Sequence, residues 1–179
     1  MRTTTSFRLA LLLLSAHLLV AGDFTGIVTG VPDGDTLAVV AGDRTVRVRL
    51  HGIDCPEKDQ PSGTAARRFT ADLALGATVT VVEQDIDRYG RIVATVILPD
   101  GRNLNHEIAA AGWAWWYRQY APDDWRLRSL ESEARKARRG LWAESAAVPP
   151  WEWRKQERVG RAERRRSEPR DQRRTAGKT

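Results

Sequence analysis

The sequence predicts a mainly β domain with helices, a small closed barrel of five strands and three helices. Three observations predict it. Short apolar or alternating runs recur between turn sequences rich in Gly, Pro and Asp. Among them lie longer stretches with apolar residues at three- and four-residue steps. A hydrophobic content of 41% supplies a core and excludes disorder throughout.

Residues 24–31 and 35–40 are two apolar runs separated by Pro32-Asp33-Gly34, a turn sequence. After a second turn, Ala41-Gly42-Asp43, residues 44–50 alternate strictly. Val46, Val48 and Leu50 share one face, while Thr45, Arg47 and Arg49 share the other, the period of a half-buried strand. These three strands form an antiparallel meander. Residues 62–75 read as a helix with Ser62 as N-cap, an apolar stripe of Ala65, Ala66, Phe69 and Leu73, and Gly76 past its end. Residues 78–82 and 91–98 add two strands, the second apolar on both faces and therefore central. A short helix over 104–111 stops at Gly112. A longer one over 123–139 carries Leu127, Leu130, Ala134 and Ala137, with Leu141 a further step on and Gly140 as its C-cap. Five short strands with interposed helices point to an OB-type barrel.

At 179 residues the chain holds one domain with length to spare at both ends. Residues 1–22 read as an export signal: Arg2 and Arg8 precede an apolar run over 9–20, and Ala21-Gly22 suits cleavage. The alternative is a membrane anchor, against which stand a run shorter than the ~20 residues of a spanning helix and the polar Ser15 and His17. Asp23 occupies the place of a lipidated Cys, so acylation is not expected. The expected destination is secreted or periplasmic, without stable membrane association after cleavage. Residues 23–148 form the domain, and Pro149-Pro150 opens a basic tail, 149–179, expected to be disordered. From Trp151 onward there are 11 Lys or Arg against 5 Asp or Glu. That tail (11 − 5 = +6) carries the whole formal charge of +6.

The lone Cys55 excludes an internal disulfide, so an exported chain of this kind rests on its core. Only His51 and His106 lie outside the signal, and neither context makes a Cys–His nucleophile or a zinc cage.

The chemistry concentrates in Asp33-Gly34-Asp35-Thr36, in Arg49 to Glu57 and in Asp87-Arg88-Tyr89-Gly90-Arg91. Carboxylates at strand ends suit a hard divalent cation, and paired guanidiniums suit a phosphodiester. Each piece also has a plain reading as turn chemistry or an edge-strand arginine. An EF-hand is excluded, because Arg44 falls where the bidentate Glu belongs.

Taken in order, Asp-Gly-Asp-Thr, Arg-Leu-x-Gly-Ile-Asp-x-Pro-Glu and Asp-Arg-Tyr-Gly-Arg resemble the staphylococcal nuclease-like (thermonuclease) family. The likeness runs over residues 24–142 and includes Arg139-Gly140-Leu141-Trp142. The resemblance implies an OB-type five-stranded barrel with three helices and calcium-dependent hydrolysis of DNA and RNA to 3′-phosphate ends. It implies Ca2+ held by Asp35, Asp54 and the backbone carbonyl of Cys55. Glu57 would orient or deprotonate the attacking water, and Arg49 and Arg91 would clamp the phosphate. Arg88 and Tyr89, with Arg118 and Tyr120 at the positions of the family's nucleotide-pocket tyrosines, are the expected substrate contacts. Trp115, Trp116 and Tyr117, just before them, either stack on a base or pack the barrel. The expected partners are DNA and RNA, single strands preferred, met by a monomer. The alternative is a noncatalytic OB-fold module that binds single strands.

Overall fold

The computed structural model describes residues 22–144 and 146–167. The expected export signal, apart from Gly22, and the tail after residue 167 lie outside the described residues. No described helix is long and apolar enough to cross a membrane.

The first three strands are β1 (Phe24–Asp33), β2 (Thr36–Ala41) and β3 (Arg44–Leu50), joined as the expected antiparallel meander. A short strand β4 (Ile53–Asp54) and helix α1 (Gly63–Ala74) follow, then β5 (Thr78–Ile86) and β6 (Ile92–Ile97). The barrel closes in the order β1-β2-β3-β6-β5, with β3 and β6 parallel and β5 returning to β1. Helix α2 (Leu104–Ala110), strand β7 (Trp115–Trp116), helix α3 (Trp125–Lys136), a 3-10 turn at Gly140–Ala143 and helix α4 (Pro150–Ser167) complete the chain.

β1 pairs with β2 on one side and β5 on the other, so it must coil through a wide angle. Its ladder slips between Val28 and Gly30 and again before Asp33, the irregularities that bend a barrel strand. Gly26 makes the closure possible: a Cβ there would sit 2.6 Å from both the Val39 side chain and the Val40 carbonyl oxygen. Val28, Leu37, Val48, Leu50, Val81 and Val96 fill the interior, each fully buried.

Two caps differ from expectation. Ser62 stands before α1 with φ of 67° and makes no side-chain cap; its hydroxyl donates to Glu144 instead. Helix α3 ends earlier than Gly140. Arg138 takes the left-handed turn (φ 51°), and the Arg139 amide donates to the Ala134 carbonyl, a Schellman ending without glycine. Gly140 serves a close approach, since a Cβ there would overlap the Gly112 carbonyl.

The larger correction concerns the tail. Residues 150–167 are helix α4, not disordered chain. Pro149-Pro150 reads as a break, yet Pro150 stands at the first helical position, where a missing N–H costs nothing. The Glu152 and Trp153 amides both donate to the Pro149 carbonyl, and Glu152 lies in the favourable first turn.

Candidate active site

The site lies where the turn into β2, the end of β3, β4 and the β5–β6 hairpin meet at one rim of the barrel. Thr36 faces Arg49 across the β2–β3 ladder, and Arg49 lies beside Val93 of β6. Register alone therefore brings Asp35 and Arg49 together. Asp54 enters on β4, which the antiparallel pairing with β7 holds in place.

Arg49 binds both aspartates. Its Nη2 donates to Asp54 Oδ1 at 2.8 Å, and its Nη1 lies 2.5 Å from Asp35 Oδ2 without hydrogen-bond alignment. Asp35 and Asp54 are both buried. One guanidinium thus serves two buried carboxylates, and burial outweighs its attraction at Asp35, whose pKa is pushed up to about 8. At Arg49 burial works to lower the pKa, but Asp35 and Asp54 more than offset it, so the guanidinium stays charged.

Cys55 contributes main chain, not sulfur. Its amide donates to Asp35 Oδ2 at 2.6 Å. Burial first, then the Asp35 charge, raises its thiol pKa, which leaves an inert sulfur. That sulfur explains Gly34. This glycine has no left-handed φ; a Cβ there would lie 2.7 Å from Cys55 Cβ and 2.9 Å from its Sγ. Buried Thr70 of α1 donates to the Gly34 carbonyl at 2.7 Å and braces the turn from behind.

Glu57 sits on the loop between β4 and α1, 40% exposed at its side chain. Gln60 shapes that loop: its Oε1 accepts from the Glu57 amide, and its own amide donates to the Glu57 carbonyl. Gly63 then lets α1 begin against that carbonyl, where any Cβ would overlap it.

Arg91 is aimed by Asp87. Asp87 Oδ2 accepts from Arg91 Nε at 2.7 Å while Oδ1 accepts the amides of Tyr89 and Arg91. Burial pushes the Asp87 pKa up, but these hydrogen bonds from Arg91 and Tyr89 win and lower it. Arg91 Nη1 reaches Thr36 Oγ1 at 3.4 Å, which puts it next to Asp35. Arg88 donates to the Tyr89 hydroxyl at the exposed tip of the same hairpin.

The structure therefore brings together Asp35, Arg49, Asp54, Cys55, Glu57 and Arg91. Arg88 and Tyr89 stand next to them through Arg91, whose guanidinium lies 5.7 Å from the Tyr89 ring. Arg118 is turned over the Trp116 ring at 5.6 Å. Tyr120 is exposed, and its ring lies 4.8 Å from that of Tyr117. Tyr117 feels the site's charge: burial, then the Asp54 carboxylate, raises its pKa. Trp115 is buried against Trp142, and Trp116 donates to the Ala121 carbonyl, so both are packing residues.

The sequence reading missed Arg154 altogether. This residue of α4 places Nη2 2.8 Å from Asp54 Oδ2 and Nη1 2.6 Å from Glu57 Oε1. Trp151, one turn earlier, stacks on Tyr117 at 5.4 Å and 9°. The usable signal was Pro150 followed by Trp, Glu and Lys at helical positions, hidden by the basic composition.

Among the described residues no group of three or more His, Cys, Asp or Glu stands ready as a cation cage. The donor set still fits a hard cation. Asp35 offers a buried carboxylate that Arg49, shared with Asp54, under-compensates. Asp54 stands on the other side of that guanidinium, and such a cation fills its remaining positions from carbonyls, water and substrate.

Comparison with known proteins agrees with this geometry. The family model described as "Staphylococcal nuclease homologue" matches residues 47–144. An "Uncharacterized endonuclease" of Escherichia coli is 46% identical over 132 residues, covering 74% of this chain and 86% of its own. A "Micrococcal nuclease" of Shigella flexneri is 42% identical over 142 residues, covering 74% and 82%. An "Uncharacterized endonuclease" of Haemophilus influenzae is 36% identical over 136 residues, covering 75% of each. The matched span holds Arg49, Asp54, Cys55, Glu57 and Arg91, and the barrel is the closed five-stranded one expected. The chain belongs to the staphylococcal nuclease family and is a nuclease of that kind.

Proposed function

We propose that this protein is an exported, calcium-dependent phosphodiesterase that cleaves DNA and RNA and leaves 3′-phosphate ends. One observation carries the reading: two buried aspartates, the Glu57 carboxylate, Arg49 of β3 and Arg91 of the β5–β6 hairpin converge at one barrel rim. The resemblance of the N-terminal residues to a signal supports export. Single-stranded or frayed substrate and a monomeric enzyme belong to the same reading.

Asp35, Asp54 and the Cys55 carbonyl would hold calcium. When bound, calcium polarises the phosphoryl oxygen and eases deprotonation of water. The chain's own residues do the rest. Arg91, aimed by Asp87, holds a nonbridging phosphate oxygen. Arg49, charged at every working pH, meets the charge that grows on phosphorus-bound oxygen. Glu57 is partly exposed on a loop fixed by Gln60, so its carboxylate can orient water and accept its proton. Tyr117 supplies a face for a base, an interaction of ~1–3 kcal/mol per base at open sites.

The test uses purified protein and single-stranded DNA with calcium or a chelator, followed by end-group analysis. Calcium-dependent cleavage with 3′-phosphate ends is expected. Binding without cleavage would establish the noncatalytic single-strand module instead.

A further inference from the structure

We propose that Arg154 is a built-in competitor for the divalent cation. Helix α4 holds its guanidinium on the carboxylates, and cation binding requires it to withdraw. The inference rests on the calcium reading given above.

Both oxygens of Asp54 are taken by Arg154: Nη2 on Oδ2 at 2.8 Å and Nη1 on Oδ1 at 3.3 Å. Nη1 also lies 2.6 Å from Glu57 Oε1. A single positive fork thus covers a proposed cation ligand and the proposed base together. With Arg49 already on Asp54 Oδ1, this 1% exposed carboxylate has no face left for a divalent ion. A guanidinium and a cation there satisfy the same charge, so they exclude one another.

The two arginines differ in how they are held. Arg49 belongs to a barrel strand, and its side chain is 13% exposed. Arg154 is 38% exposed and comes from a helix laid over the rim, so water can take its place as it leaves. The helix is tethered before it begins: Gln60 Nε2 donates to the Val148 carbonyl at 2.6 Å. Trp153 lies beside Trp115 and Leu141 below the rim. Release of Arg154 therefore moves the first turn of α4 off the rim while the tether at Val148 stays made.

Trp151 reinforces the exclusion. Its ring lies parallel on Tyr117, the face offered to a base in the proposed mechanism. Docked α4 covers the cation position with Arg154 and the base position with Trp151. Polyanionic substrate favours the open state as well, because residues 150–167 carry seven Lys or Arg against three Glu and phosphates offer them new partners.

A competitor lowers apparent affinity by the fraction of molecules in which the site is open. Calorimetric titration of calcium into the full chain reads this without any substrate. Arg154→Ala should bind calcium about tenfold or more tightly than wild type, and Arg154→Lys, a point charge without the fork, should fall between. Thermal melting of each variant establishes that it is folded. In wild type, calcium should also speed tryptic cleavage after Arg154 and Lys155 severalfold, because the first turn leaves the rim. Equal or weaker calcium affinity in Arg154→Ala overturns the competition and leaves the calcium reading standing. Absence of calcium binding in all three proteins overturns both.

Discussion

The Cys55 amide donates to Asp35 Oδ2 over 2.6 Å, which joins the turn before β2 to the end of β4. That bond holds the aspartate where burial, partly offset by Arg49, pushes its pKa up to about 8. Two pH effects follow. A folded pKa above the unfolded value near ~3.9 gives stability that is full below that value and lost as pH rises through about 8. Cation-free protein should thus melt at lower temperature at pH 9 than at pH 5. Calcium, which needs the ionised carboxylate, should bind more tightly with rising pH, by up to about tenfold per unit, and level off above about 8. Calorimetry across that range, with proton release followed in two buffers, checks the sign; affinity flat from pH 6 to 9 would remove Asp35 as the titrating group.

Gly34 supplies a second prediction. Its added Cβ would press on Cys55 Cβ at 2.7 Å, and a Cβ is held by its own backbone, so neither can rotate aside. Gly34→Ala should destabilise the domain by about 1–3 kcal/mol, with a lowered melting temperature. If the protein melts unchanged, the close approach is not a constraint.

Glu57→Gln keeps the shape of the side chain but removes the proton acceptor. It should bind single-stranded DNA as wild type does and cut it at least tens of times more slowly, given the ~10²–10⁴-fold that general bases contribute. Single-turnover kinetics separates the two steps. Wild-type turnover would assign the proton to another acceptor.

Asp87 is a positioning residue for Arg91. Asp87→Asn keeps an acceptor for the Tyr89 and Arg91 amides but loses the ion pair, so the hairpin should fold while the guanidinium wanders. Cleavage should slow by about ten- to a hundredfold, with Asp87→Ala worse because the turn also loses its amide acceptor. A loss in kcat that Asp87→Glu partly restores, with melting unchanged, distinguishes positioning from a merely structural role.

Much of this was legible in the sequence. Strict alternation over residues 44–50 identified β3 and put Arg49 on the face away from Val48 and Leu50, because side-chain direction in a strand follows from period two alone. Asp35, Asp54, Glu57 and Arg91 were legible as a set because local turns and strand ends present them within short stretches. Helices α1 and α3 were legible through their apolar stripes and α2 through its stop at Gly112, although Ser62 and Gly140 were assigned caps that the chain does not use.

Only the tertiary structure decided the rest. Gly34 was read as turn chemistry, yet its reason is the Cys55 side chain some twenty residues away, a distance no local pattern encodes. Arg118 and Tyr120 were expected at the substrate; Arg118 is turned over Trp116, and Tyr117 is the residue whose hydroxyl feels the Asp54 charge. The fate of Arg154 depends on a helix that composition concealed and on charge complementarity across 97 residues of chain to Glu57. Sequence periodicity determined the strands of the barrel, and the three charged motifs with the family they resemble supplied the chemistry expected at its rim. Long-range packing and electrostatics decided which further groups reach that rim, because those energies depend on spatial separation rather than on order along the chain.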